Sequence, residues 1–228
     1  MNTYSSSILI DNNEFKVNVK FSTKYKRLAM SFNEKLELVI RSPIIVNAND
    51  ISNFIASNTN WILNSYNSKK NNSMINLQDN YIYLLGKKYQ INWIEITGNF
   101  KYSIDSDCLN LYVRKNFSKK NTIIKFLTKN YSDFVFKKLN YWSTIMGLSF
   151  NDFKFKWAET SFGKCFYNKK IINISPRICL YPENIIDYLL IHELSHLIHP
   201  NHSKEFWNNV EKYYKEYKMA RKYLKIHY

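Results

Sequence analysis

Residues 188–207 read YLLIHELSHLIHPNHSKEFW, and the rest of the chain is best approached from this stretch. Leu189, Leu190, Ile191, Leu194 and Leu197 are too closely spaced for an exposed loop and run too long for one strand, so they predict a buried helix. The helix is expected from Pro182 to His199. Pro182 suits its first turn, where a missing N–H costs nothing, and Glu183 suits the positive end. His192 and His196 then stand four apart on one face, so both imidazoles reach a single metal ion. Glu193 is rotated about 100° around the axis. Its carboxylate is thereby set beside a metal-bound water rather than on the metal.

Two histidines follow. On a continued helix His199 would share the face, yet stand about 7–8 Å beyond a metal placed between the first two. Pro200 disfavours helical geometry at His199, so the chain is expected to turn there and bring His202 back. His202 is therefore the expected third ligand, with His199 the alternative. The spacing H-E-x-x-H-x5-H equals that of the metzincin pattern, with His199 at its glycine position. His227 reads as a surface histidine. Three neutral imidazoles and one water make an open tetrahedral site, the catalytic type, for one Zn2+ per chain. Glu193 would take the proton from that water and pass it on to the leaving group. Residues 178–203 hold no Lys or Arg but carry Glu183, Asp187 and Glu193, a balance that suits a cation. Asp187 and Glu205 are placed in sequence to orient a ligand imidazole.

Working outward, Ile123, Phe126, Leu127, Tyr131, Phe134, Val135, Leu139, Trp142 and Met146 recur at helical spacing up to Gly147. Short strands are expected at Phe153–Trp157, near Gly163–Tyr167 and at Ile171–Ser175, and a further helical region from Ser203. Earlier, Phe15, Val17, Val19 and Phe21 alternate with polar residues, and Leu36, Leu38 and Ile40 repeat that strand pattern. One helix is expected from Asn49 to Ile62, then a polar loop over 67–72. Strands return at Tyr81–Leu85, Tyr89–Ile96 and Leu109–Val113, punctuated by Gly86 and Gly98. The expected class is α+β. A β-rich, mostly antiparallel region with one helix would span 1–115, and a helical catalytic domain with a small sheet 116–228.

The 228 residues carry 33 Lys+Arg against 18 Asp+Glu, a formal charge of +15. With 45% hydrophobic and 17% aromatic residues the chain is not disordered. Its 30 Asn accompany a preference for Lys over Arg, so part of the charge is compositional bias. Cys108, Cys165 and Cys179 are too few and too spread for a disulfide framework, which suggests a reducing cytoplasm. No signal peptide is seen after Met1, and no apolar run nears the roughly 20 residues of a membrane span. The segments Lys16–Arg27, Arg114–Lys138 and Lys204–Lys225 offer nucleic acid a basic surface.

The run from Tyr188 to Leu197, followed by His199-Pro-Asn-His-Ser-Lys-Glu-Phe-Trp207, closely resembles the YgjP-like metal-dependent hydrolases, zincin-type metallopeptidases related in layout to SprT-like proteins. The resemblance extends to Arg41-Ser-Pro43, Trp61-Ile62 and Tyr83-Leu-Leu-Gly-Lys-Lys-Tyr89, and so covers nearly the whole chain. It implies His192, His196 and His202 as ligands, Glu193 as the base, a zincin-like catalytic domain, and a peptide or protein substrate. Phe206 and Trp207 match the family's F-W, read here as core packing. The family's R-W-G-S-C motif becomes Ser161-Phe162-Gly163-Lys164-Cys165. Its arginine is absent at 161, and Lys164 is the residue that could take its role. Cys165 reads as a packed thiol, not a fourth ligand.

In zincins an edge strand pairs with the extended substrate. Ile171–Ser175 is the candidate here, which makes Ile171 and Asn173 substrate-binding residues. Lys164, Tyr188 and Tyr181 are candidate donors to the developing oxyanion. The leading expectation is a zinc metallopeptidase. The alternatives are a metal-dependent nucleotide pyrophosphatase, since the same activated water can attack phosphorus, and a nucleic-acid-associated protease-like module.

Overall fold

The alternating stretch after Asn13 forms the inner strand of a sheet whose partners come from farther along the chain. The computed structural model describes residues 3–33 and 36–226; His227 lies outside them. The chain divides into two compact units, Met1–Ser73 and Met74–Tyr228.

The first unit holds β1 (Thr3–Ile10), β2 (Asn13–Phe21), β3 (Ala29–Phe32) and β4 (Leu38–Ser42), in the order β1-β2-β4-β3. β2 and β4 run parallel; the other pairs are antiparallel. Phe15, Val17 and Val19 of β2 and Leu38 and Ile40 of β4 bury one face with Ile51 of α1 (Ala48–Ala56) and Ile62 of α2 (Thr59–Asn71). Asn47 caps α1 by accepting the Asp50 N–H at 2.9 Å. The single expected helix is two, because Ser57 and Asn58 leave helical register between them. The expected loop over 67–72 is instead mostly the end of α2. Its Lys and Asn residues are adequate helix formers on an exposed face, and Tyr66 anchors the helix by packing edge-on against Phe15 at 5.0 Å.

The second unit starts with a five-stranded sheet of β5 (Ile75–Asn76), β6 (Tyr81–Leu84), β7 (Lys87–Glu95), β8 (Lys101–Asp105) and β9 (Cys108–Val113), ordered β5-β6-β7-β9-β8. Ile82, Leu84, Ile91, Leu109 and Leu111 enter one core with the long α3 (Lys119–Met146) and with α4 (Glu183–Ser195). The expected boundary at 115/116 therefore falls inside this unit: residues 74–113 have no separate core. Ser118 caps α3, and Gly147 ends it at φ +65°, where a side chain would strain the backbone.

A three-stranded sheet of β10 (Asp152–Phe155), β11 (Gly163–Phe166) and β12 (Ile171–Ile174) follows, ordered β10-β12-β11. Ile172 and Ile174 are fully buried, and α4 lies against β11 on the same side. The expected helical region from Ser203 is α5 (Lys204–Tyr213) and α6 (Tyr217–Ile226), parted at Tyr214, whose φ of −141° is not helical.

Asp187 ties α4 to α3. It accepts from Trp142 Nε1 at 2.8 Å and from Lys138 Nζ at 3.1 Å, and Lys138 also reaches Glu183 at 3.2 Å. Asp187 therefore does not orient a ligand imidazole; its oxygens are engaged on the face of α4 turned toward α3.

A candidate metal centre

α4 is apolar on nearly all sides, with Ile185, Ile186, Leu189, Leu190, Ile191 and Leu194 buried. A helix of this kind sinks into the core and carries His192 and Glu193 with it. It stops earlier than expected, at Ser195. The N–H groups of Ile198 and His199 both return to the Ser195 carbonyl (3.2 and 3.0 Å), and Pro200 blocks further helix. Ser203 then caps α5 by accepting the Phe206 N–H. His202 sits in the short link between the two helices.

This link brings three histidines together. The ligating nitrogens of His192, His196 and His202 all lie within 4.8 Å of one another, and His202 Nε2 is 3.0 Å from His192 Nε2. Tetrahedral zinc with ordinary Zn–N bonds needs nitrogens about 3.3 Å apart, so the donor set fits such an ion. The roles of the two later histidines also separate. His196 Nδ1 lies 3.1 Å from the His199 carbonyl, which fixes the proton on Nδ1 and frees Nε2 for a metal. His199 thus contributes its backbone, not its ring. His192 Nδ1 is buried without a partner among the described residues. Its ring is held by packing, 4.9 Å from Phe206, 5.7 Å from Trp207 and 5.9 Å from Tyr188.

Electrostatics keeps these rings neutral. Burial, then the neighbouring His196 and His202, push His192 down to about 3. Burial also lowers His196 and His202. A neutral imidazole is the form that binds metal. Glu193 is 5% exposed. Burial pushes its carboxyl up to about 8, opposed by a hydrogen bond from the Cys165 amide. A side-chain carbon at Gly163 would land on the Glu193 carboxylate, so β11 can approach Glu193 only through a residue without a side chain.

Other expected site residues fall into place differently. Ile171 and Asn173 lie on β12, which is paired with β10 on one side and β11 on the other. Both backbone edges of β12 are used, so neither residue offers a free edge to a substrate; β11 does. Cys165 shares the α4 side of the sheet with Gly163. Burial and Glu193 push its thiol up to about 11, and it is outside the ligand cluster. Lys164 points to the opposite side and lies over Phe166 at 4.7 Å, so it does not reach the centre from this strand. Tyr188 is one turn before His192 and buried, its phenol pushed up to about 12 chiefly by burial. Tyr181 is buried edge-on to Phe162 at 5.1 Å. Glu205 sits in the first turn of α5, held low by its bond with Ser203. An arginine does stand beside Phe162: Arg177, 4.9 Å over the ring and bonded to the Glu159 carbonyl at 2.6 Å.

Three contributors escaped the sequence reading. Phe206 is fully buried, yet its ring lies 4.5–4.9 Å from all three histidine rings and walls the centre. Trp207 stacks on His202. Gly163 stands in the sequence only as part of the R-W-G-S-C counterpart. The available signals were an aromatic pair four and five residues after the third histidine, and one of only four glycines lying inside a strand.

A buried helix with two histidines one turn apart, a third on the following link and a glutamate beside them define a metal centre of the H-E-x-x-H class. The chain belongs to the YgjP-like family, whose metallopeptidase-domain model matches residues 26–227. Among solved structures it is similar to the metallopeptidase zymogen abylysin of Pyrococcus abyssi, at 26% identity over 38% of this chain and 87% of that one, with a TM-score of 0.35. The zymogen of jannalysin from Methanocaldococcus jannaschii is 18% identical over 37% and 90%, with a TM-score of 0.34. No curated protein matches the chain. No helix among the described residues is long and apolar enough to cross a membrane.

Proposed function

We propose that this member of the metallopeptidase family is a zinc-dependent peptidase with His192, His196 and His202 as ligands and Glu193 as general base. The observation that carries the reading is the position of Glu193, a buried carboxylate with one backbone donor, beside three neutral imidazoles and outside their cluster. A zinc ion there supplies Lewis acidity and an acidified water. The chain's residues do the rest. His199 holds the ligand tautomer of His196. Phe206 packs against all three rings and keeps bulk water from that side, which strengthens the field inside. Glu193 would take up a proton from an attacking water and return one to the departing amine.

The substrate is read as an extended peptide or protein segment added to the free edge of β11, the strand that carries Lys164 and hands its Cys165 amide to Glu193. Three unpaired cysteines suit a reducing, cytoplasmic setting. A second property rests on α5 and α6. Lys204, Lys212, Lys215, Lys218, Arg221, Lys222 and Lys225 are all exposed, a surface that would hold nucleic acid and so present a bound protein for cleavage. DNA binding that weakens steeply with salt is expected; no binding at low salt would remove this second role.

The central test is Glu193→Gln. The variant should retain about one zinc per chain and lose casein and peptide hydrolysis by about 1,000-fold or more. Wild-type turnover in that variant would refute the assigned base.

A further inference from the structure

A column of rings and one cation stands beside the metal centre. The Trp207 indole lies nearly parallel to His202, 5.6 Å away at 23°, and 5.7 Å from His192. Tyr217 of α6 stacks on the same indole at 5.2 Å and 18°. One turn later on α6, the Arg221 guanidinium lies 4.7 Å from the indole centre. Arg221 is exposed and makes no hydrogen bond or ion pair with any described residue.

Residues 178–203 hold no Lys or Arg, and Arg221 reaches the ring column from α6. Stacking on an indole leaves the planar N–H fork free and limits its motion. Such a fork fits a carboxylate in two-point contact. The path from guanidinium to indole to His202 is too long for Arg221 to share an oxygen with the metal. Its two steps, 4.7 and 5.6 Å, match one or two residues of an extended chain at about 3.4 Å each together with the reach of an acidic side chain or a terminal carboxylate.

We propose that Trp207 and Arg221 form a subsite for a substrate carboxylate, one or two residues from the scissile bond, supplied by an acidic side chain or by a free C-terminus. The subsite rests on the peptidase reading above. It makes the enzyme selective for anionic peptides although its own surface charge already attracts them without discrimination.

The test uses the zinc-loaded full-length protein and four peptide hydroxamates, carrying Glu or Gln beside the hydroxamate-linked residue, each as free acid and as amide. Wild type should bind at least one carboxylate-bearing form about ten-fold more tightly than the Gln amide. The Glu/Gln arm and the acid/amide arm tell which carboxylate is read. Arg221→Gln should bring that ratio to within about two-fold, and Arg221→Lys should keep part of it. The ratio is the readout because general damage to the site cancels in it. Equal binding of all four by wild type, or a preference that survives Arg221→Gln, overturns the subsite. If zinc is bound and no hydroxamate binds, the metal-centre reading fails first and the subsite falls with it.

Discussion

Glu193 is a carboxylate in a place that disfavours charge, and its neighbours are arranged around that fact. Burial pushes it up to about 8, and a single amide, from Cys165, supports the anion. A cation on the three histidines would supply the missing support. The approach of β11 to this group depends on Gly163, so Gly163→Ala should displace the carboxylate. Casein hydrolysis should then fall by about 100-fold with zinc content near one per chain. Activity within two-fold of wild type would show that the close approach is not used. The H-E-x-x-H spacing made the pairing of His192 with His196 and the place of Glu193 beside them legible, because covalent geometry along one helix fixes their directions. His202 was legible because Pro200 forces the turn that returns it. Gly163, Phe206 and Trp207 were not, since what they touch is set by packing between elements, not by spacing along the chain.

α4 is held at the scale of elements by a polar clamp. Lys138 and Trp142 of α3 meet on Asp187. Burial pulls the Lys138 ammonium down, but the hydrogen bonds and charges of Asp187 and Glu183 outweigh it and leave the group raised above 10.5. The clamp's contribution is therefore complete below that ordinary value and is lost only as pH climbs through the raised one. Asp187→Ala leaves the Trp142 indole N–H without its acceptor and the half-buried Lys138 ammonium with Glu183 alone. It should cost about 1–3 kcal/mol in urea unfolding, while zinc stoichiometry stays unchanged. Loss of zinc with no loss of stability would return Asp187 to the role of ligand orienter. Helical elements were legible from periodicity; their ends were less so, as at Ser57–Asn58 and Tyr214, where local backbone choices decide. The order β10-β12-β11 was hidden. A strand read along the chain looks like a hairpin edge, and nothing local announces that β10 will dock on its other side.

The described residues form two hydrophobic cores, one in each unit. Hydrophobic periodicity gave the α+β class; residues 74–113 read as one more run of strands, and they bury their inner face with α3 and α4. Metal should stabilise only the unit that carries α4. At free zinc 100-fold above Kd the gain is about 2.7 kcal/mol, or roughly 5–10 °C for a domain of this size. Chelation should lower one calorimetric transition by that amount and leave the other in place; equal shifts in both would join the two cores into one cooperative system. The +15 charge that first suggested nucleic acid lies on surfaces flanking a segment free of Lys and Arg. One contact carries a consequence of another kind. Trp207 lies flat against His202, so a metal ion taken up by that imidazole perturbs the excited state of the indole stacked on it. Of the five tryptophans, this one should make the protein's emission follow zinc occupancy, and Trp207→Phe should silence the response. The chain would then report its own metal content as light.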